Sequence, residues 1–273
     1  DGSIDTDALR KLTRTCLVDL KGDGVYATGT VSEFWALTKE ERNIIQETVI
    51  DEAEKAKPKC LKVTCTTDQC VKNTVEYTKR AKDLGYDVAI LLTPYMEADG
   101  EPGVYRYIKY VADRTDIALS LYNSGATGYV LSPKFCADIY NKIPAVCAIK
   151  NGIMQPWHSV AIHEMAPKMV IWECDLNAAG PQGMMWAGLA SPILMGTMTF
   201  FLQRKGKLIF RDYWDTQIAG KFDDAIRKYY GTGVRDLNDL LMATFVSENR
   251  PGYFSHCQAA YKYWASLMGY PTG

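Results

Sequence analysis

Short, continuous apolar runs alternate along this chain with longer segments whose apolar residues recur at helical spacing. Runs closed by turn residues read as strands at 24–29, 59–67, 88–94, 117–123, 145–151, 169–175 and 191–196. Helical stretches fall between them at 39–57, 68–84, 103–114, 133–141, 156–165 and 177–188. Thr38, before Lys39-Glu40-Glu41, and Ser132, before Pro133, are suitable N-caps. Apolar strands with a helix between each consecutive pair argue for a parallel sheet with helical crossovers. After the last run the alternation stops, and 200–230, 234–247 and 254–268 read as wholly helical.

A length of 273 residues suits one α/β barrel. A closed barrel of this type needs eight strands, and seven are visible. The chain opens on a polar turn, Asp1-Gly2-Ser3, and passes directly into an amphipathic helix over 6–20, so the missing first strand is expected upstream of residue 1. The expectation is a (β/α)8 barrel over 1–198, with 199–273 as a C-terminal helical extension of the same domain.

With 47% hydrophobic residues, 23% charged residues and a net charge of -1, the chain has neither a disorder signature nor the basic footprint of a nucleic-acid binder. No stretch approaches the roughly twenty apolar residues of a membrane span, and no basic-then-apolar leader opens the sequence. A cytoplasmic protein acting on a small molecule is expected. The cysteines are dispersed, and Cys60, Cys65, Cys147 and Cys174 sit inside apolar runs, as small core residues of a reducing compartment do. Cys65 and Cys70 are too far apart for a Cys-x-x-Cys pair, and His158, His163 and His256 form no ligand spacing with them, so no metal is expected.

The candidate chemistry lies at two strand ends. Lys150 closes the run Val146-Cys147-Ala148-Ile149, and Asn151-Gly152 turns the chain after it. A lysine there either snorkels into water or is buried, and burial lowers its pKa towards the free amine that attacks carbonyls to form a Schiff base. One strand-helix unit earlier, 117–123 ends in Tyr122-Asn123 and a turn-rich segment follows. Consecutive parallel strands would thus carry an amine and a phenol on one rim.

Five segments together resemble the N-acetylneuraminate lyase and dihydrodipicolinate synthase superfamily of class I aldolases. Gly29-Thr30-Val31-Ser32-Glu33 is similar to its Gly-Thr-Thr-Gly-Glu. Leu37-Thr38-x-x-Glu41-Arg42, Thr93-Pro94-Tyr95, Leu121-Tyr122-Asn123 and Ala148-Ile149-Lys150 follow at compatible spacings. The resemblance implies a TIM barrel, a homodimer or homotetramer, and no cofactor beyond a covalent imine between Lys150 and pyruvate or another 2-oxo acid. It makes Tyr122 the general acid/base, its phenol tuned by a nearby cation. It assigns the substrate carboxylate to Gly29, Thr30 and Val31; an ordinary glycine turn with a helix cap is the alternative.

Departures from the pattern bear on the substrate. Val31 replaces a proton-relaying threonine, and Met96 stands where a relay tyrosine from a neighbouring subunit is usual. Ser124-Gly125-Ala126-Thr127-Gly128 lacks the arginine that clamps a charged aldehyde, which argues against lysine biosynthesis. Ile171-Trp172-Glu173-Cys174-Asp175 and Arg250-Pro251-Gly252-Tyr253-Phe254-Ser255 are similar to segments of the hydratase-aldolase branch, although that branch tends to insert a residue between the tyrosine and asparagine that are adjacent here. Trp35, Tyr95 and Trp172 either wall an aromatic pocket for the aldehyde half or pack under loops. Asn123 joins the substrate-binding set. Glu173 either orients a substrate hydroxyl or water, or is a salt-bridged strand-end carboxylate.

The expected activity is a pyruvate-dependent class I lyase whose second substrate is a neutral or aromatic aldehyde. A 2-keto-3-deoxy sugar-acid lyase or dehydratase is the rival among enzymes. A barrel that binds a 2-oxo acid without turnover is the rival from another class.

Overall fold

The apolar runs become strands because each buries both faces, and the strand ends fall where the turn residues begin. A computed structural model describes residues 2–95, 100–125, 129–153, 155–174, 176, 180, 194, 196–243 and 257–271. The strands are β1 (Gly24–Ala27), β2 (Leu61–Cys65), β3 (Val88–Leu92), β4 (Ala118–Asn123), β5 (Val146–Asn151) and β6 (Val170–Glu173). They hydrogen-bond in chain order, and β2 to β6 pair in parallel. Six of the expected strands are therefore present at their expected places. The seventh, 191–196, lies largely outside the described residues, as does the helix expected at 177–188.

By its internal contacts the chain divides into a first unit, 1–62 with 195–273, and a second, 63–194, with one boundary inside β2. In the first unit, α1 (Thr6–Arg14) packs on α2 (Lys39–Ala56) through ion pairs of Arg10 with Asp51 and of Arg14 with Glu52, the latter at 2.7 Å. The helix expected over 6–20 widens after Arg14 into a π turn, Thr15–Asp19, with Leu20 N–H donating to the Thr15 carbonyl at 2.9 Å. β1 leads into two short 3-10 turns, Thr30–Ser32 and Phe34–Ala36.

The single helix expected over 200–230 is several shorter ones: Gly196–Phe201, Ile209–Ile218 and Phe222–Gly231. Gly206 (φ 79°), in the turn between Arg204 and Lys207, and Gly220 (φ 74°), just past the helix that ends at Ile218, adopt left-handed backbone in the two breaks, a conformation that costs glycine little. Val234–Ala243 and Cys257–Leu267 follow, and the Phe201 ring stacks on Trp264 with centroids 4.9 Å apart.

In the second unit the helices α3 (Val71–Leu84), α4 (Gly100–Ala112), α5 (Pro133–Lys142) and α6 (Pro156–Met165) alternate with β2 to β6. Every residue of β3 is buried. Leu91, Leu119, Leu121 and Ile149 pack against Val104, Ile108, Ile139 and Ile162 of the helices. Each such side chain stabilises the fold by about 1.5–3 kcal/mol, which makes this layer the rigid base beneath the strand ends. Among the described residues no helix is long and apolar enough to cross a membrane.

The N-cap expected at Thr38 is part of a full capping box: Thr38 Oγ accepts from Glu41 N–H at 3.2 Å, and Glu41 accepts from Thr38 N–H at 2.7 Å. Thr38→Ala is expected to lower stability by about 1 kcal/mol in chemical denaturation, with Thr38→Ser close to wild type.

Candidate active site

Strand register brings the amine and the phenol together. Leu92, Tyr122, Lys150 and Trp172 stand directly opposite one another across β3, β4, β5 and β6. A bulge makes this possible. Leu119 pairs with Val146 but the next residue, Ser120, pairs with Ala148, leaving Cys147 as the extra residue of β5. Without that shift Tyr122 would face Ile149, and Lys150 would face Asn123.

Lys150 is only 4% exposed and Tyr122 only 2%. The lysine Nζ lies over the tyrosine ring, 4.1 Å from its centroid. A ring contact of this kind stabilises a desolvated ammonium by about 2 kcal/mol, less than the several kcal/mol that burying an unpaired ion costs. The neutral ring alone therefore does not hold a charged lysine here. Burial is the strongest influence on Lys150 and disfavours its ammonium, as the sequence led us to expect. Tyr122, Cys174 and Cys65, when ionised, together with a hydrogen bond to Tyr122, act the other way and outweigh it, leaving the pKa above the ordinary lysine value. The expectation of a depressed pKa is thus corrected. Amine with phenol and ammonium with phenolate hold the same number of protons, so the pair titrates as one unit. Free amine arises by passing a proton to Tyr122 rather than to bulk water.

Alternation along a strand sends the next residue to the opposite face. Asn123, Asn151 and Glu173 form that second row, and all are fully buried. The Asn123 carboxamide copies a backbone pair: Nδ2 donates to the Leu131 carbonyl at 3.0 Å, and Oδ1 accepts from Leu131 N–H at 2.9 Å. His158 Nε2 donates to the same carbonyl at 3.1 Å, so its 3.5 Å approach to Asn123 Nδ2 is a contact between two donors sharing one acceptor. Asn151 Nδ2 donates to Ser159 Oγ at 2.7 Å, and Ser159 Oγ donates to Glu173. Asn123 and Glu173, both candidates for substrate binding, stand in this row. Glu173 is bound by a serine hydroxyl, an arrangement that neither expectation for it included.

The remaining candidates are placed as follows. Trp172 is 7% exposed and shares the row of Lys150. Tyr95 follows β3, half-buried, with its N–H donating to Gln69 at 3.3 Å. Gly29, Thr30, Val31 and Trp35 belong to the first unit. Gly29 is pressed against Tyr26, whose ring carbon would lie 2.6 Å from an added Cβ, so a side chain is excluded there. Thr28 holds φ 52° while fully buried, a left-handed conformation that is strained for a β-branched residue. Trp35 is 51% exposed and meets Phe34 edge to face. Met96, residues 126–128, Asp175 and residues 250–255 lie outside the described residues. Among the described residues no group of three or more His, Cys, Asp or Glu side chains could hold a metal.

Sequence reasoning overlooked Cys174 and Gly152. Cys174 follows Trp172 by two positions, the spacing that marks a shared strand face, and it acts on Lys150. A Cβ on Gly152 would lie 3.3 Å from the Tyr122 ring and 3.6 Å from the Cys174 sulfur, so glycine leaves room for the phenol.

The profile of the dihydrodipicolinate synthetase family matches residues 1–196. A 4-hydroxy-tetrahydrodipicolinate synthase of Desulforudis audaxviator is 34% identical over 144 residues, covering 52% of this chain and 47% of that one. Another, from Methanothrix thermoacetophila, is 34% identical over 160 residues, covering 56% and 50%. The chain spans about half the length of these curated relatives. Among solved structures, a chloride-inhibited dihydrodipicolinate synthase of Acinetobacter baumannii complexed with pyruvate superposes with TM-score 0.77 at 21% identity, covering 99% of this chain and 95% of that one. N-acetylneuraminate lyase of Mycoplasma synoviae gives 0.79 at 17%, covering 100% and 85%. These likenesses show a TIM-barrel-like α/β fold.

Burial depresses the His158 pKa against the opposing pull of its bond to the Leu131 carbonyl. The unfolded histidine takes up a proton near pH 6.5 and the folded one only at lower pH. Its contribution to stability is therefore present above about pH 6.5 and is lost as the pH falls through the folded pKa. The Tm advantage of wild type over His158→Gln should shrink on acidification from pH 7.5 to 5, as followed by thermal melts; a constant difference would contradict a neutral buried His158.

Proposed function

The chain belongs to the dihydrodipicolinate synthetase family, and on that premise we propose that it is a pyruvate-dependent class I aldolase or lyase built on a (β/α)8 barrel. The observation that carries this reading is Lys150 Nζ lying 4.1 Å from the centre of the Tyr122 ring, both side chains buried in one row across β4 and β5. The pyruvate held by the Acinetobacter synthase is in keeping with it.

In this proposal the free amine of Lys150 attacks the 2-oxo carbon, a proton moves from nitrogen to the former carbonyl oxygen, and the Tyr122 phenol gives its proton to that hydroxyl, which leaves as water, so that an iminium and a Tyr122 phenolate remain. Tyr122 accepts the proton of the substrate hydroxyl as the adjacent carbon-carbon bond breaks, and the bonding electrons pass to the iminium nitrogen as an enamine. An aldehyde departs. Protonation and hydrolysis of the enamine then return pyruvate and the amine, and the reverse sequence is a condensation.

Gly29, Thr30 and Val31 are assigned the carboxylate from their correspondence to the family loop. Trp172, Tyr95 and Trp35 are assigned the aldehyde half. Ser124-Gly125-Ala126-Thr127-Gly128 brings no cation, which favours a neutral or aromatic aldehyde of the kind a hydratase-aldolase releases over the charged semialdehyde of lysine biosynthesis. By family resemblance the working form is a homodimer or homotetramer.

Borohydride reduction in the presence of pyruvate should give a stable adduct that peptide mass spectrometry maps to Lys150 and that is absent from Lys150→Ala. No adduct on folded wild type would defeat the imine reading. Tyr122→Phe should still form the adduct, while its turnover of any cleavable 2-oxo acid falls by about 10²–10⁴. A panel of neutral, aromatic and carboxylate-bearing aldehydes run in condensation with pyruvate then decides the second substrate.

A further inference from the structure

The three strands that carry Tyr122, Lys150 and Trp172 each place their following residue on the other face of the sheet. Of those residues, Asn151 and Glu173 are bound by Ser159 of α6, and Asn123 is bound by Leu131, which His158 of α6 also holds. His158 and Asn123 converge on the Leu131 carbonyl, at 3.1 and 3.0 Å. Ser159, the next residue, accepts from Asn151 at 2.7 Å and donates to Glu173. Two consecutive helical side chains thus brace the strand ends behind the candidate catalytic row: Ser159 those of β5 and β6 directly, and His158 that of β4 through the Leu131 carbonyl that Asn123 shares. Pro156 at the first position of α6 fixes where that turn begins.

We propose that His158 and Ser159 are positioning residues that set the separation and orientation of Tyr122 and Lys150 from behind the sheet. The proposal rests on the imine reading above. Neither side chain is in the row with Lys150. Each such hydrogen bond contributes only about 1 kcal/mol to stability, whereas a displacement of reacting groups by about 1 Å costs roughly a hundredfold in rate. The bracket therefore matters more for geometry than for folding. Because Tyr122 and Lys150 share a proton, a change in their spacing also changes the pH dependence of the step that moves it.

Pyruvate alone tests this, without the aldehyde. Borohydride trapping reports the imine at Lys150, and loss of the pyruvate methyl proton signal in D2O reports proton transfer through the enamine. His158→Leu and Ser159→Ala should keep the trapped adduct, slow the exchange by about ten- to a hundredfold and move the limbs of its pH profile. His158→Gln, whose amide can still donate to the Leu131 carbonyl, should return the exchange to within about threefold of wild type. Exchange rate and pH profile unchanged in the folded variants, with only Tm lowered, would overturn the proposal, as would a glutamine variant no better than leucine. Should His158→Leu not fold, Ser159→Ala decides by the same criteria. Loss of the adduct from wild type itself would instead remove the imine reading.

Discussion

A buried amine needs a partner that can answer its charge, and the second unit is organised around that need. Lys150 has almost no access to water, so its proton can be lost only to a neighbour. Tyr122 supplies a ring face for the amine and an acid that can take its proton's place in the balance. Cys174 and Cys65 surround the pair with soft, weakly acidic groups rather than carboxylates. A carboxylate there would fix the lysine as a permanent ammonium and end its use as a nucleophile. Thiols and a phenol leave the proton transferable.

The sheet separates this chemistry from its support. One face carries the phenol, the amine and Trp172; the other carries Asn123, Asn151 and Glu173, tied to α6 and to Leu131. Parallel strands suit such a division because both faces are covered, so a polar side chain on the rear face finds helix or loop groups rather than water. The rear network is built from side-chain amides, a hydroxyl and an imidazole, whose hydrogen bonds are directional. That directionality is what an apolar packing layer, tolerant of small slides, would lack.

Much of this was legible in the sequence, and the limits have physical causes. Lys150 stood out because a charged residue ended an apolar run, and Tyr122 because its run was one strand-helix unit earlier. Six strands followed from apolar runs closed by turn residues. The orientations of Asn123 and Glu173 were also accessible, since alternation from Tyr122 and Trp172 sends both to the rear. His158 and Ser159 were hidden, because which face of α6 meets the strand ends depends on packing between elements distant in sequence. The long helix read through Gly206 and Gly220 failed because apolar periodicity survives a break in which left-handed glycines lie. The sign of the Lys150 shift could not be read at all, as it turns on groups contributed by three different strands.

The irregularity at Cys147 has an evolutionary consequence. Because Cys147 stands outside the pairing, the register beyond it, Tyr122 with Lys150 included, does not depend on its presence. Deletion of that single codon would leave a regular ladder, with Ser120 still opposite Ala148 and the phenol still opposite the amine. Genes that differ by one residue between the apolar run and its terminal lysine can thus encode the same juxtaposed pair, and a one-residue gap at that point does not by itself mark loss of the chemistry.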